Sequence, residues 1–298
     1  MKERLTAGNI IFHIVNYTVL IAITIICIYP FYYLLINTIS SNELSARGDI
    51  MFIPREIHFT NYFQVLQIPG LARSAWVSVS RTVIGTILPV LVAAFLGYLF
   101  TKPMWGRKFW YRFVIASMYF QAGLIPYFLT VIRLGLMNSF WVYILPLVVQ
   151  PFSVLLVKTY IESTPASLQE SAEIDGAGTF TIFWMIVLPL IKPILATVAI
   201  FAAVAQWNMF MDTLLFITDQ NLHTLQFTLY RYISQAGVLA RLIQAGAGAD
   251  VAVAMANAQT ATSVRMTVTV VVTLPILLVY PFFQKYFVKG IMIGAVKG

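Results

Sequence analysis

The sequence predicts an all-α, polytopic membrane protein with six transmembrane helices, and three observations carry that prediction. Hydrophobic residues fill 60% of the 298 positions and charged residues only 10%, where a soluble chain has about a quarter of its residues charged. Mean hydropathy is +0.84, an excess of apolar surface that needs lipid as its solvent. Six apolar stretches come near or exceed the ~20 residues that a helix needs to cross hydrocarbon. They are far too long for barrel strands, and backbone groups in lipid must be satisfied within the segment, so helices are the remaining option. The whole chain reads as a single transmembrane domain, 1–298, with one polar inner loop at 158–193.

The first stretch, residues 10–36, is too long for the apolar core of a signal peptide. No small-residue cleavage site follows closely, so it is expected to be retained. It holds the single cysteine, Cys27, and no internal disulfide is possible. The second and third stretches are 76–100 and 109–132. The fourth, 140–157, is short. The fifth, 183–205, is interrupted by Lys192, and the sixth is 267–286. Between the first two, residues 40–75 mix aromatic and polar groups, as in Phe52-Ile53-Pro54 and Phe59-Thr60-Asn61-Tyr62-Phe63. Packing over the mouths of the spans and contact with a partner are both open there. Between the last two, residues 212–262 include the turn signal Asp219-Gln220-Asn221. An interfacial helix is expected from Leu225-Gln226-Phe227-Thr228-Leu229-Tyr230, followed by an Ala- and Gly-rich run to residue 261.

The net charge of +8 would usually suggest nucleic acid, but the basic residues lie mostly between apolar runs, which fits membrane topology instead. With the N-terminus in the cytoplasm, every lysine falls on the inner side or at its edge: Lys2, Lys102, Lys108, Lys158, Lys192, Lys285, Lys289 and Lys297. The short loop 101–112 holds Lys102, Arg107, Lys108 and Arg112 and no acid, and short loops weigh most in the positive-inside rule. Both termini and residues 158–193 then face the cytoplasm.

That polar loop carries four of the chain's eleven acids, Glu162, Glu170, Glu173 and Asp175. A helix-forming run over 165–174 meets Asp175-Gly176-Ala177-Gly178. Gly176 and Gly178 tolerate positive φ and permit a sharp turn. A second helix starting near Thr179 runs into Leu188-Pro189 and Pro193, which must kink or end it. Glu170-Ser171-Ala172, then Asp175, Gly176 and Ala177, then Leu188-Pro189, resembles the EAA loop of ABC importer permeases. Ser171 stands where alanine is usual. The resemblance implies the fold of a type I importer permease and a coupling helix that docks on a cytoplasmic ATPase, through Glu170, Ala172, Asp175, Gly176, Ala177, Leu188 and Pro189.

No other chemistry is legible. His13, His58 and His223 lie in different regions, and no spacing suggests a metal site or a phosphate-binding glycine loop. The chain is therefore read as a transporter subunit with no catalytic residue and no cofactor of its own, ATP and Mg being bound by a separate ATPase. Polar residues in or beside the spans are the candidates for a substrate path, because burying them in lipid is costly: Arg81, Gln121, Gln206, Trp207, Asn208 and Arg265. Aromatic faces suit sugar rings and amides suit hydroxyls, which favours Gln206-Trp207-Asn208. The bland alternative for each is snorkelling or a helix–helix hydrogen bond.

Trp207-Asn208, Leu214-Leu215-Phe216 and Thr224-Leu225-Gln226 are similar to carbohydrate importer permeases. The tail, from Phe283-Gln284-Lys285-Tyr286 to Lys297-Gly298, resembles the members that import complex oligosaccharides, alginate importers among them. This implies a second, homologous permease, two copies of a cytoplasmic ATPase and an extracytoplasmic sugar-binding protein, at the bacterial cytoplasmic (inner) membrane. The outer arginines suit an anionic uronate oligosaccharide, but acids on the same side leave a neutral oligosaccharide open. The rival reading, a secondary transporter or channel, needs ionisable groups deep in the spans. Arg81 and Arg265 sit nearer the outer end and Lys192 nearer the inner.

Overall fold

The computed structural model of the chain describes residues 7–120, 122–244 and 263–278. The described residues are helical, with turns and loops and no strand. In order they form α1 (Ala7–Thr38), α2 (Asn42–Arg47), α3 (Thr60–Leu66), α4 (Leu71–Leu99), α5 (Arg107–Ser117) and α6 (Leu124–Arg133). Two 3₁₀ turns, Phe140–Tyr143 and Leu145–Leu147, lead into α7 (Pro151–Glu162). Then come α8 (Ser167–Ile174), α9 (Thr179–Ile182), a π-helical turn Phe183–Val187, α10 (Leu188–Leu190), α11 (Lys192–Asn208), α12 (Met211–Phe216) and α13 (Leu225–Gln244). A last described helix, α14, is Ser263–Leu278.

The chain divides into two compact units, residues 1–68 with 231–273, and 69–230 with 274–298. In the first, the C-terminal end of α1 is clamped by amides. Buried Asn37 donates to the carbonyls of Tyr33 (2.8 Å) and Ile50 (3.2 Å) and accepts from Ser45 Oγ (2.6 Å). Asn61 donates to Thr38 O and to Asn42 Oδ1, each at 2.9 Å. Segment 40–68 is thus folded back on the end of α1, and its polar groups supply the partners that the frayed helix end lacks.

In the second unit α4 is the spine. Its buried face repeats every three to four residues: Ser74, Ser78, Arg81, Gly85, Pro89, Ala93, Gly97. Small residues let neighbouring backbones approach closely, which is how helices associate where lipid removes the hydrophobic drive. A Cβ on Gly97 would lie 2.9 Å from Val157 Cγ1 and 3.1 Å from Lys158 N, so α7 crosses α4 there with no room for a side chain. One apolar cluster joins the C-terminal half of α4 (Val90, Ala94, Tyr98) to α7 (Val154, Val157) and to Phe183, Val187, Ile194 and Val198. A second joins Val77 to Val131, Tyr143, Ile144 and Phe216.

The spans differ from the expected ones in continuity. Among the described residues, two helices are long and apolar enough to cross a membrane, 8–38 and 71–99, or up to four if each bent pair counts as one. The expected span 109–132 is two helices: α5 ends at Ser117, and α6 restarts after Gly123, which takes φ +78. Span 140–157 is bent by 47° between the 3₁₀ turns and α7, where Pro146 and Pro151 each withhold an N–H. The fifth stretch begins earlier, at Thr179, and bends by 78° between Leu190 and Lys192. The sixth, expected at 267–286, is helical over 263–278; its end, the tail motif, and the Ala- and Gly-rich run past residue 244 lie outside the described residues.

If the α4–α7 crossing depends on the missing side chain, Gly97→Val should cost about 1–3 kcal/mol through overpacking. Thermal unfolding of the detergent-solubilised chain reads this, and an unchanged midpoint would show that the crossing has slack.

Candidate functional site

Two sets of sequence-selected residues fall in the second unit. The first is the polar loop. α8 ends on a Schellman motif: Gly176 takes φ +80, Ala177 N–H donates to Ala172 O at 2.9 Å, and Gly176 N–H donates to Glu173 O at 3.1 Å. Gly176 is required by backbone conformation, since a Cβ there would meet nothing within 4 Å. Gly178 has φ −70 and ψ 159, extended backbone open to any residue, so only one of the two glycines makes the turn. Ala172 and Ala177, the pair that the motif brings together, pack against the first apolar cluster. Glu170 and Asp175 are exposed beside Ile174, which is 85% exposed.

The turn is tied to α4 and the loop after it. Tyr98 OH donates to Thr179 O at 3.3 Å, and Lys102 Nζ reaches Glu173 Oε1 at 2.6 Å. Behind the turn, Leu188-Pro189 has a visible effect. Proline has no N–H, and its ring presses on the carbonyl four residues back. The helix widens before it, with Leu188 N–H bonded to Phe183 O. Leu188 packs against the cluster and Pro189 is exposed. The chain then breaks at Ile191 and starts α11 with Pro193 near its N-terminus. A single capped element therefore lies between α7 and α11 in the chain.

The second set surrounds Arg81. Its side chain is 1% exposed, and its guanidinium pairs with Asp212 in a two-pronged contact. Arg81 Nε donates to Gln206 Oε1 at 2.9 Å, and Nη1 donates to Met209 O at 3.1 Å. The group also lies over the Tyr143 ring, 4.5 Å from its centre. Gln206 Nε2 donates to Tyr143 O at 3.2 Å. Gln206 lies so near α4 that a Cβ on Gly85 would come within 2.6 Å of it. Thr213 Oγ1 meets Tyr143 OH (3.1 Å) and Thr224 Oγ1 (3.2 Å). Thr224 caps α13 by accepting from Phe227 N–H at 3.3 Å, while Ser78 Oγ accepts from Leu225 N–H at 2.8 Å.

Of the path candidates, then, Arg81 and Gln206 are brought together and bonded to each other. Trp207 and Asn208 follow at the end of α11, half-buried and exposed, with Asn208 Nδ2 donating to Val204 O at 3.0 Å. Arg265 is half-buried on α14, in the other compact unit, and Gln121 lies outside the described residues. Sequence reasoning missed Asp212 as the partner of Arg81, and with it Tyr143 and Thr213. A signal existed: a guanidinium within a span requires a carboxylate, and Asp212 is the first acid after the fifth stretch.

Removing one member of a buried ion pair strands the other charge, typically costing 3–5 kcal/mol, whereas replacing both by apolar groups is often near neutral. Asp212→Leu should therefore unfold at markedly lower temperature than wild type, and Arg81→Met/Asp212→Leu should recover most of the loss. A double variant no better than the single would show that a stranded Arg81 charge is not what destabilises the single variant.

Comparison with known proteins places this architecture. The family described as "Binding-protein-dependent transport system inner membrane component" matches residues 85–293. Protein LplC of Bacillus subtilis (strain 168) is 36% identical over 294 residues, 98% of this chain and 97% of its own. The polygalacturonan/rhamnogalacturonan transport system permease protein YtcP of the same organism is 34% identical, over 97% of this chain and 99% of its own. Among solved structures, a chain of a bacterial ABC transporter involved in the import of the acidic polysaccharide alginate superposes with a TM-score of 0.82 at 27% identity. That match covers 95% of this chain and 98% of the other. The chain thus has the fold of a type I ABC permease, is a transport subunit and not an enzyme, and belongs to the family of binding-protein-dependent transport system inner membrane components.

Proposed function

We propose that the chain is one permease of an ATP-driven, binding-protein-dependent oligosaccharide importer, and that the turn at 167–178 is where the ATPase pushes. The capped turn is the observation that carries this reading. It combines an exposed tip (Glu170, Ile174, Asp175) with a base of small residues, Ala172 and Ala177, packed on the core. A load applied to the tip reaches α4 through Tyr98 and Lys102 and reaches α11 through the broken helix behind it. Closure of two ATPases, which bind ATP and Mg, then tilts these helices, and the passage switches from inward-open to outward-open.

The chain crosses the cytoplasmic membrane six times in this reading, with both termini inside, bent pairs serving as single spans. A second, homologous permease completes the passage, and an extracytoplasmic binding protein supplies the sugar. A relative named for polygalacturonan and rhamnogalacturonan transport and a solved structure involved in alginate import support a carbohydrate substrate. Trp207, Asn208, Gln121 and Arg265 are the proposed sugar contacts. Arg81 and Gln206 hold the wall in shape. The acidic polymers in two of those names favour an anionic oligosaccharide over a neutral one.

Gly176→Val forces a β-branched residue into left-handed backbone, at a cost of about 1–2 kcal/mol or more, and should uncouple ATP hydrolysis from uptake while the protein remains in the membrane. Gly176→Asn, which tolerates that conformation, should keep most of the transport. Normal uptake by the valine variant in proteoliposomes would contradict the coupling role. Uptake of a charged oligouronate should exceed that of a neutral oligosaccharide of equal length, and uptake of the neutral one alone would remove the anionic reading.

A further inference from the structure

Apart from Lys102, the segment that joins α4 to α5 and the start of α5 are not used by the transport mechanism, and they have a chemistry of their own. Lys102 is neutralised by Glu173, and Arg107 donates to Thr101 O at 3.3 Å. Lys108 and Arg112 are exposed, and no carboxylate pairs with either among the described residues. They stand four residues apart on α5 and so share one face. No acid occurs anywhere in 101–118. Beside these cations lie large apolar surfaces with nothing over them: Trp105 is 90% exposed, Phe109 64%, Phe113 58% and Trp110 44%. Residues 103–109 line an open cleft of about 700 Å³, room enough for a phosphoglycerol headgroup.

Two free cations would be satisfied by any phosphate, and exposed aromatics by any apolar chain. Both together, at the edge of a span, match a molecule with a phosphate at one end and hydrocarbon at the other. Tryptophan rings favour the level of the headgroups, where one side is apolar and the other wet. We propose that Lys108, Arg112 and the aromatic ledge around Trp105 form a binding site for an anionic phospholipid, its phosphate between the two cations and its chains along Phe109 and Phe113. The site holds the α4–α5 corner at a fixed depth in the bilayer, next to the loop that Lys102 ties to the coupling turn. It depends on the chain being a membrane protein and not on which solute is carried.

The test places the full-length chain in nanodiscs containing brominated phosphatidylglycerol or brominated phosphatidylcholine at equal mole fraction. Quenching assigned to Trp105 is the difference between wild type and Trp105→Phe. Each cation near an anionic surface contributes a factor of about five, so phosphatidylglycerol should be preferred at least about fivefold. The preference should shrink as salt is raised. Lys108→Gln/Arg112→Gln should bring the ratio close to one, and Arg133→Gln, an exposed arginine at the end of α6, should leave it unchanged. Both sites are exposed, so the double variant should fold; circular dichroism checks this. Mass spectrometry of lipid retained by the purified chain gives a second reading, with phosphatidylglycerol kept by the wild type and lost by the double variant. A wild-type ratio near one, or a ratio untouched by the double substitution, overturns the proposal. Displacement of the lipid by inorganic phosphate at equal effect would make this a soluble-anion site and overturn it as well.

Discussion

A guanidinium sunk among apolar helices must be given a carboxylate, and much of the second unit follows from that requirement. Arg81 lies on the face of α4 that also carries Gly85 and Gly97. To reach it, Asp212 must fold back just after α11, which fixes α12 and the short loop to α13. Gln206 accepts from the guanidinium Nε and Met209 O from Nη1, and the Gln206 side chain presses on Gly85, so the end of α11 is held against α4. Tyr143 closes the cluster from the side of the 3₁₀ turns. Desolvating such a pair is expensive, and its merit lies in the register it enforces more than in net stability.

The same helix connects the cluster to the polar loop. From Arg81 to Tyr98, α4 is one unbroken helix, roughly 25 Å long at about 1.5 Å per residue. At one end it is pinned by Asp212 and Gln206. At the other it is pinned by Thr179 through Tyr98, with Lys102 bonded to Glu173 just beyond. A rod fixed at both ends moves as a body, and that is the property a transmission element needs. Among the described residues the breaks lie elsewhere, before Gly123, at the bend before α7 and at Ile191.

The fold class and the polar loop could be read from residues alone because both rest on local rules. Apolar run length reports a span, Gly176 after a short polar helix reports a left-handed cap, and Pro189 reports a disturbed helix. Continuity was harder to read. Residues 109–132 have the composition of one span, and only the backbone shows that it is split before Gly123. The role of Gly178 was likewise invisible, because a glycine can occupy left-handed or extended backbone equally well. Arg81 and Gln206 were found as polar intruders, but the bonds from Arg81 to Gln206 and to Asp212 each span more than a hundred residues of sequence and carry no short-range signal. Thr224 and Leu225, selected by resemblance, turn out to have a local cause as well: the threonine caps α13 and the leucine N–H is met by Ser78.

The central claim is that the capped turn at 167–178 is a cytoplasmic knob gripped by a separate motor. The most direct measurement is labelling of Ile174→Cys with a membrane-impermeant maleimide, in a Cys27→Ser background that removes the chain's single native cysteine. The account predicts labelling only from the cytoplasmic side, and protection when the co-purifying ATPase is bound. Labelling from the outer side, or labelling from within that the ATPase does not slow, would contradict it.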